Sequence, residues 1–249
     1  MANQNFNTFG RGGVIADQAS FDVGLRAHMI RVYNYMASGL ALSGIVAFAL
    51  FSSPQLAGLF FEVSPRGAVV GLNVLGWVAI LAPIGLLLLT SFKGATMSVG
   101  AVQAVYWAVT ALMGVSLSLL LFRYTGASVA RTFFVTAAAF GALSLYGYTT
   151  KRDLTAMGKF LFMGLIGLIL ASLVNMFFPS GTMSFIISAA GVLIFSGLIA
   201  YDTQRIKEQY ADAYGTDVAE KMAIFGALSL YLDFVNLFQF LMMFLGQRR

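Results

Sequence analysis

Seven long apolar runs dominate the chain. Each is close to the ~20 residues that a helix needs to cross the hydrocarbon core of a bilayer, and few charges interrupt them. They lie at about Tyr33–Phe51, Ala68–Phe92, Met97–Phe122, Thr132–Tyr148, Phe160–Phe178, Met183–Tyr201 and Met222–Leu245. Runs of this length leave few folds open. With 59% hydrophobic and 10% charged residues, a soluble core would have too little polar surface to cover it, since soluble domains carry about 25% charge. A transmembrane barrel would show alternating segments of roughly ten residues, and these runs do not alternate. The expected class is an all-α membrane protein with seven transmembrane helices.

The remaining composition narrows the chemistry. The chain has no cysteine and a single histidine, His28, which excludes disulfides, thiol catalysis and zinc sites built from several histidines. No phosphate loop, Ser-His-Asp set or kinase signature is present. No cofactor is expected. The net charge of +5 points to topology and to contact with anionic membrane lipids, not to nucleic acid.

Three parts are expected. Residues 1–19 are polar and rich in Gly and Asn, and are expected to form a disordered tail. Residues 20–32 interleave Arg26, His28 and Arg31 with Leu25, Met29 and Ile30, a pattern that suits an amphipathic helix in the interface plane; His28 reads there as an interfacial residue. Residues 33–249 hold the seven-helix domain. Pro83 is expected to kink the second segment, and the sixth to continue as a helix through Gln209. Small residues such as Gly39 and Ser43, four apart, allow close helix packing. Asn73, Gln103 and Asn175 read as interhelical hydrogen-bonding residues.

Lys/Arg counts on alternate sides give the orientation. Arg11, Arg26, Arg31, Lys93, Lys151, Arg152, Lys159, Arg205, Lys207 and Lys221 stand against Arg66, Arg123, Arg131, Arg248 and Arg249. Ten against five favours a cytoplasmic N-terminus. Seven spans then put the C-terminus outside, against the pull of Arg248 and Arg249, unless the last segment stops short of crossing.

Two acids stand out. Asp202 ends the sixth segment and Asp233 lies within the seventh. An intramembrane aspartate costs about 2.5 kcal/mol or more at a helix centre, and marks a functional position by default. Ser229, Asp233 and Asn236 fall at i, i+4 and i+7 on one helical face. Asp202 has Arg205 at i+3. If the two segments pack antiparallel, Asp233 lies roughly 17 Å in from Met222 at ~1.5 Å per residue, and the carboxyls meet in the inner half of the bundle. Two close carboxyls with little water share a proton and titrate as a pair, which makes them a pH sensor. Deprotonated, they offer a hard cation such as Ca²⁺ a weak site, suited to permeation. The structural alternative is that Asp202 pairs with Arg205 and Asp233 bonds Asn236 or a neighbouring helix.

Tyr201-Asp202-Thr203-Gln204, followed by Ala227-Leu228-Ser229-Leu230-Tyr231-Leu232-Asp233-Phe234-Val235-Asn236-Leu237-Phe238, resembles the paired signature of the Bax inhibitor-1 (transmembrane Bax inhibitor motif) family. Arg26 to Tyr33 is similar to the entry helix of its bacterial members. The likeness covers roughly Leu25 to Gly246. It implies six helices around a central seventh, and a pH-sensitive calcium leak with Asp202 and Asp233 as sensor and gate. It also implies a basic latch near the inner end of the second segment, for which Lys93 is the nearest match and Arg205 a further candidate. Some bacterial relatives resemble modulators of a membrane-bound protease. The competing reading is therefore a regulator acting through such a partner, with no transport of its own. A protease reading fails on motif, because Leu230-Tyr231-Leu232 stands where an intramembrane aspartyl protease has Gly-x-Gly. The chain is expected not to be an enzyme. A bacterial inner membrane is the expected location.

Overall fold

The computed structural model describes the backbone of residues 8–64, 69–213 and 218–248, with side chains from residue 21 onward except 211–213. It is helical throughout apart from one short hairpin. The elements are α1 (Thr8–Ser52), α2 (Pro54–Phe60), β1 (Phe61–Val63), β2 (Val69–Leu72), α3 (Val74–Lys93), α4 (Val99–Arg123), α5 (Gly126–Thr149), α6 (Thr155–Phe177), α7 (Gly181–Ala213) and α8 (Val218–Leu245). Among the described residues, seven of the eight helices, all but α2, are long and apolar enough to cross a membrane. The all-α membrane class is what the sequence predicts.

Two boundaries differ from expectation. Residues 20–32 do not form a separate helix in the interface plane. They are continuous with the first span in α1, and Leu25, Met29 and Val32 are buried in the main core. Their apolar face finds a protein partner in the C-terminal part of α7, where Phe21 and His28 lie 5.6 and 4.9 Å from the Tyr210 ring. That contact removes the reason for the stretch to lie on lipid. The tail expected over residues 1–19 falls partly outside the described residues, and from Thr8 the backbone is helical.

The second span begins later than Ala68. Val69–Leu72 pairs antiparallel with Phe61–Val63, and α3 starts only after Asn73. Asn73 is both the N-cap of α3 and an interhelical residue, since it also bonds the end of α2. Its Oδ1 accepts from the Gly76 N–H at 2.9 Å, and its Nδ2 donates to the Leu59 and Gly58 carbonyls. One side chain so closes both the hairpin and the orphan end of the helix. Similar caps open α4 at Ser98 and α5 at Thr125.

The helix expected to run past the sixth segment does so, since α7 continues unbroken to Ala213. α8 is the most enclosed span. In its most apolar stretch 56% of residues are buried, against 17% for α3 and 6% for α6. Its principal neighbours are α1, α4, α5 and α7, while α3 packs on α4 and α6 on α7. α8 also crosses the bundle. The Thr125 N–H donates to the Gln247 carbonyl, the Gln247 N–H donates to the Ser128 hydroxyl, and Tyr124 pairs with Arg248. The chain end is thereby strapped to the α4–α5 turn, opposite the α7–α8 linker.

Candidate functional site

The sequence of each element explains how the aspartates reach one another. α7 and α8 are joined by a short linker, so they pack antiparallel and closely. Gly226 makes room at that contact, where a Cβ would lie 3.0 Å from the Ile206 side chain. On its other sides α7 is held just as tightly. Gly147 of α5 lies against the Ala200 main chain, and Gly158 of α6 lies against the Tyr201 ring. Residues 200–206 of α7 are thus clamped on three sides, and Asp202 points at α8.

The Asp202 and Asp233 carboxyls interact side chain to side chain. Both residues are buried, Asp202 9% and Asp233 6% exposed. The Arg205 guanidinium lies 3.1 Å from Asp202 Oδ1 and is itself partly exposed. It also donates to the Ser229 hydroxyl of α8 at 3.3 Å and sits 5.7 Å from the Tyr201 ring centre. A polar chain therefore runs from Asp233, buried in the bundle, through Asp202 to the partly exposed Arg205 guanidinium. Asp233 Oδ2 has no hydrogen-bond partner among the described residues.

The expected site residues divide clearly. Asp202, Asp233, Arg205 and Ser229 come together. Asn236 does not join them, because its Nδ2 donates to the Leu232 carbonyl one turn back on its own helix. Lys93 is exposed at the end of α3, and among the described residues its side chain contacts neither aspartate. The basic group at the pair is Arg205. Lys221 donates to the Ala95 and Met97 carbonyls and ties the start of α8 to the α3–α4 turn.

Three neighbours of the pair, Thr203, Gln204 and Tyr231, had a signal that spacing on one face did not catch. Successive helical residues point about 100° apart, so the polar run Tyr201 to Gln204 faces four directions. Thr203 bonds Ser144 of α5 at 3.0 Å, and Ser144 bonds the Tyr33 hydroxyl of α1 at 2.6 Å. Gln204 accepts from the Leu154 N–H and donates to the Arg152 carbonyl, which pins the α5–α6 turn. In α8, the Tyr231 hydroxyl lies 2.6 Å from Ser43 Oγ, which in turn lies 2.7 Å from the Thr110 carbonyl. Ser43 has one hydrogen, and it serves a carbonyl, so Tyr231 is the donor to Ser43. Thr203, Gln204 and Tyr231 thus reach α5, the α5–α6 turn and α1 respectively.

A model of the family described as "Inhibitor of apoptosis-promoting Bax1" matches residues 25–249, nine-tenths of the chain including both aspartates. The protein belongs to the Bax inhibitor-1 family. The match begins where the resemblance placed it, at Leu25. Among similar proteins, an uncharacterised protein of Caulobacter vibrioides is 49% identical over 98% of this chain and 99% of its own length. One from Rickettsia prowazekii is 46% identical over 92% of this chain and 93% of its own. The inner membrane protein YbhL of Escherichia coli is 42% identical over 91% of this chain and 94% of its own.

Proposed function

We propose that this Bax inhibitor-1 family protein is a pH-sensitive calcium leak gated by Asp202 and Asp233, in a bacterial inner membrane with the N-terminus in the cytoplasm. The observation that carries the reading is the contact of two intramembrane carboxyls contributed by consecutive, tightly packed helices. Charge counting gives the mechanism. With one proton shared, the two carboxyls and Arg205 sum to zero net charge, and the bridging proton holds α7 to α8. Loss of that proton leaves one net negative charge and two carboxylates that repel at close range. The helices then gain by separating, and a divalent cation gains by entering. The sign follows: flux rises as pH rises through the apparent titration of the pair. Arg205 serves as the latch by keeping the closed site neutral. The membrane location is consistent with the name of the YbhL relative.

Calcium entry into liposomes containing the purified protein, measured across the neutral pH range, tests this directly. Wild type is expected to show flux that grows with pH. Asp233→Asn and Asp202→Asn remove the shared proton and are expected to flatten the profile while the protein stays folded. An unchanged profile in both variants refutes the sensor. No flux above that of empty liposomes at any pH replaces the channel with the partner-binding regulator, for example of a membrane protease.

A further inference from the structure

The end of the bundle opposite the aspartates holds a second site of different chemistry. A cavity of about 650 Å³ opens there between α4, α6, α7 and α8. Two arginines line it, Arg123 at the end of α4 and Arg248 after α8. Their proximity is built in. Tyr124, next to Arg123, is paired through the main chain with Arg248, and the adjoining Thr125 and Gln247 are hydrogen bonded at 3.0 Å. No Asp or Glu lines the cavity, and neither guanidinium has an ion pair among the described residues. Two cations that line one cavity, with no counter-charge among the described residues, repel one another. An anion between them reverses the sign of that interaction.

The walls say which anion. Moving into the membrane from the arginines, the lining carries Leu120, Met243 and Phe185 beside the hydroxyls of Ser184 and Ser188, with the Gln239 amide one turn inward of Met243. Leu120 lies one turn inward of Arg123 on α4, and Met243 lies inward of Arg248. A solute such as inorganic phosphate has no use for the apolar part. A phospholipid has a charged head at the interface, a glycerol ester region that accepts hydrogen bonds, and acyl chains beneath. Guanidinium forks match phosphate oxygens bidentately. We propose that this cavity binds the phosphodiester head of an anionic membrane phospholipid, with Arg123 and Arg248 gripping the phosphate and Gln239 the region below it. The site is independent of the aspartate gate and stands or falls separately from it.

Thermal unfolding of the full-length protein in detergent, titrated with dihexanoyl phosphatidylglycerol, provides the test. A ligand that binds only the folded state raises the midpoint in a saturable way. Saturable stabilisation is expected for wild type, weaker for the zwitterionic dihexanoyl phosphatidylcholine. Arg123→Gln and Arg248→Gln are each expected to weaken the apparent affinity about tenfold, as loss of a charge-assisted bond does. Both positions are exposed, so the variants are expected to fold. Arg131→Gln, exposed on the same end of the bundle but outside the cavity, is expected to bind as wild type does. Equal affinity in wild type and the Arg123/Arg248 double variant overturns the proposal. Saturation by inorganic phosphate, with no further effect of the lipid, overturns the lipid assignment in favour of a free anion.

Discussion

Ser43 shows how much a single small hydroxyl can organise. It is fully buried in α1 and meets a carbonyl of α4 and the Tyr231 hydroxyl of α8, so three helices converge on one oxygen. Replacing it with alanine strands the Tyr231 O–H away from water. An unsatisfied buried donor costs about 1–3 kcal/mol, and transmembrane hydrogen bonds run lower, near 0.6 kcal/mol on average. Ser43→Ala is therefore expected to lower stability by about 1 kcal/mol. Adding Tyr231→Phe, which removes the stranded hydroxyl, is expected to recover part of the loss. Thermal unfolding of the two single variants and the double variant in detergent checks this. A double variant that loses the full sum of both single losses contradicts the shared bond.

At the scale of elements, the close approach of α5 to α7 rests on glycine. A Cβ at Gly147 would collide with the Ala200 main chain, which cannot swing aside as a side chain can. Gly147→Val is expected to push α5 from α7 and to destabilise by about 1–3 kcal/mol, the usual cost of overpacking. Gly141 lies on the same helix with open space around it, so Gly141→Val is expected to be close to neutral. Equal midpoints for the two variants would show that the approach is not tight. The consequence for the site is direct, because α7 backed by Gly147 and Gly158 has nowhere to retreat. Relative movement at the aspartates is left to the α7–α8 contact.

The whole molecule turns that constraint into a test of gating. The chain has no cysteine, so an introduced pair is the only thiol chemistry present. Ile206 and Gly226 face one another across α7 and α8, with a Cβ at Gly226 predicted 3.0 Å from the Ile206 side chain. That spacing is within disulfide reach. Oxidation of the Ile206→Cys/Gly226→Cys variant is expected to abolish pH-dependent calcium flux, and reduction is expected to restore it. Undiminished flux in the fully oxidised protein would mean that the two helices need not part. The cavity at the far end is strapped by the α4–α5 turn and residues Gln247 and Arg248. The lock leaves it intact.

Much of this protein is determined by its residues in order. Seven apolar runs fix the number of spans, because lipid accepts only segments that satisfy their own backbone hydrogen bonds. The cost of burying charge singles out Asp202 and Asp233, and the helical period places Ser229 on the same face as Asp233. Tertiary structure decided the rest. Asn236 shares that face by spacing, yet its amide turns back to its own helix at Leu232. Lys93 fits a latch by position along the chain, yet Arg205 is the cation within reach of Asp202. Residues 20–32 are amphipathic enough for an interface, but Tyr210, nearly two hundred residues away, offers a protein surface instead. Nothing local distinguishes these outcomes. Side-chain period sets the direction a residue points, whereas which partner stands there depends on how the other helices pack.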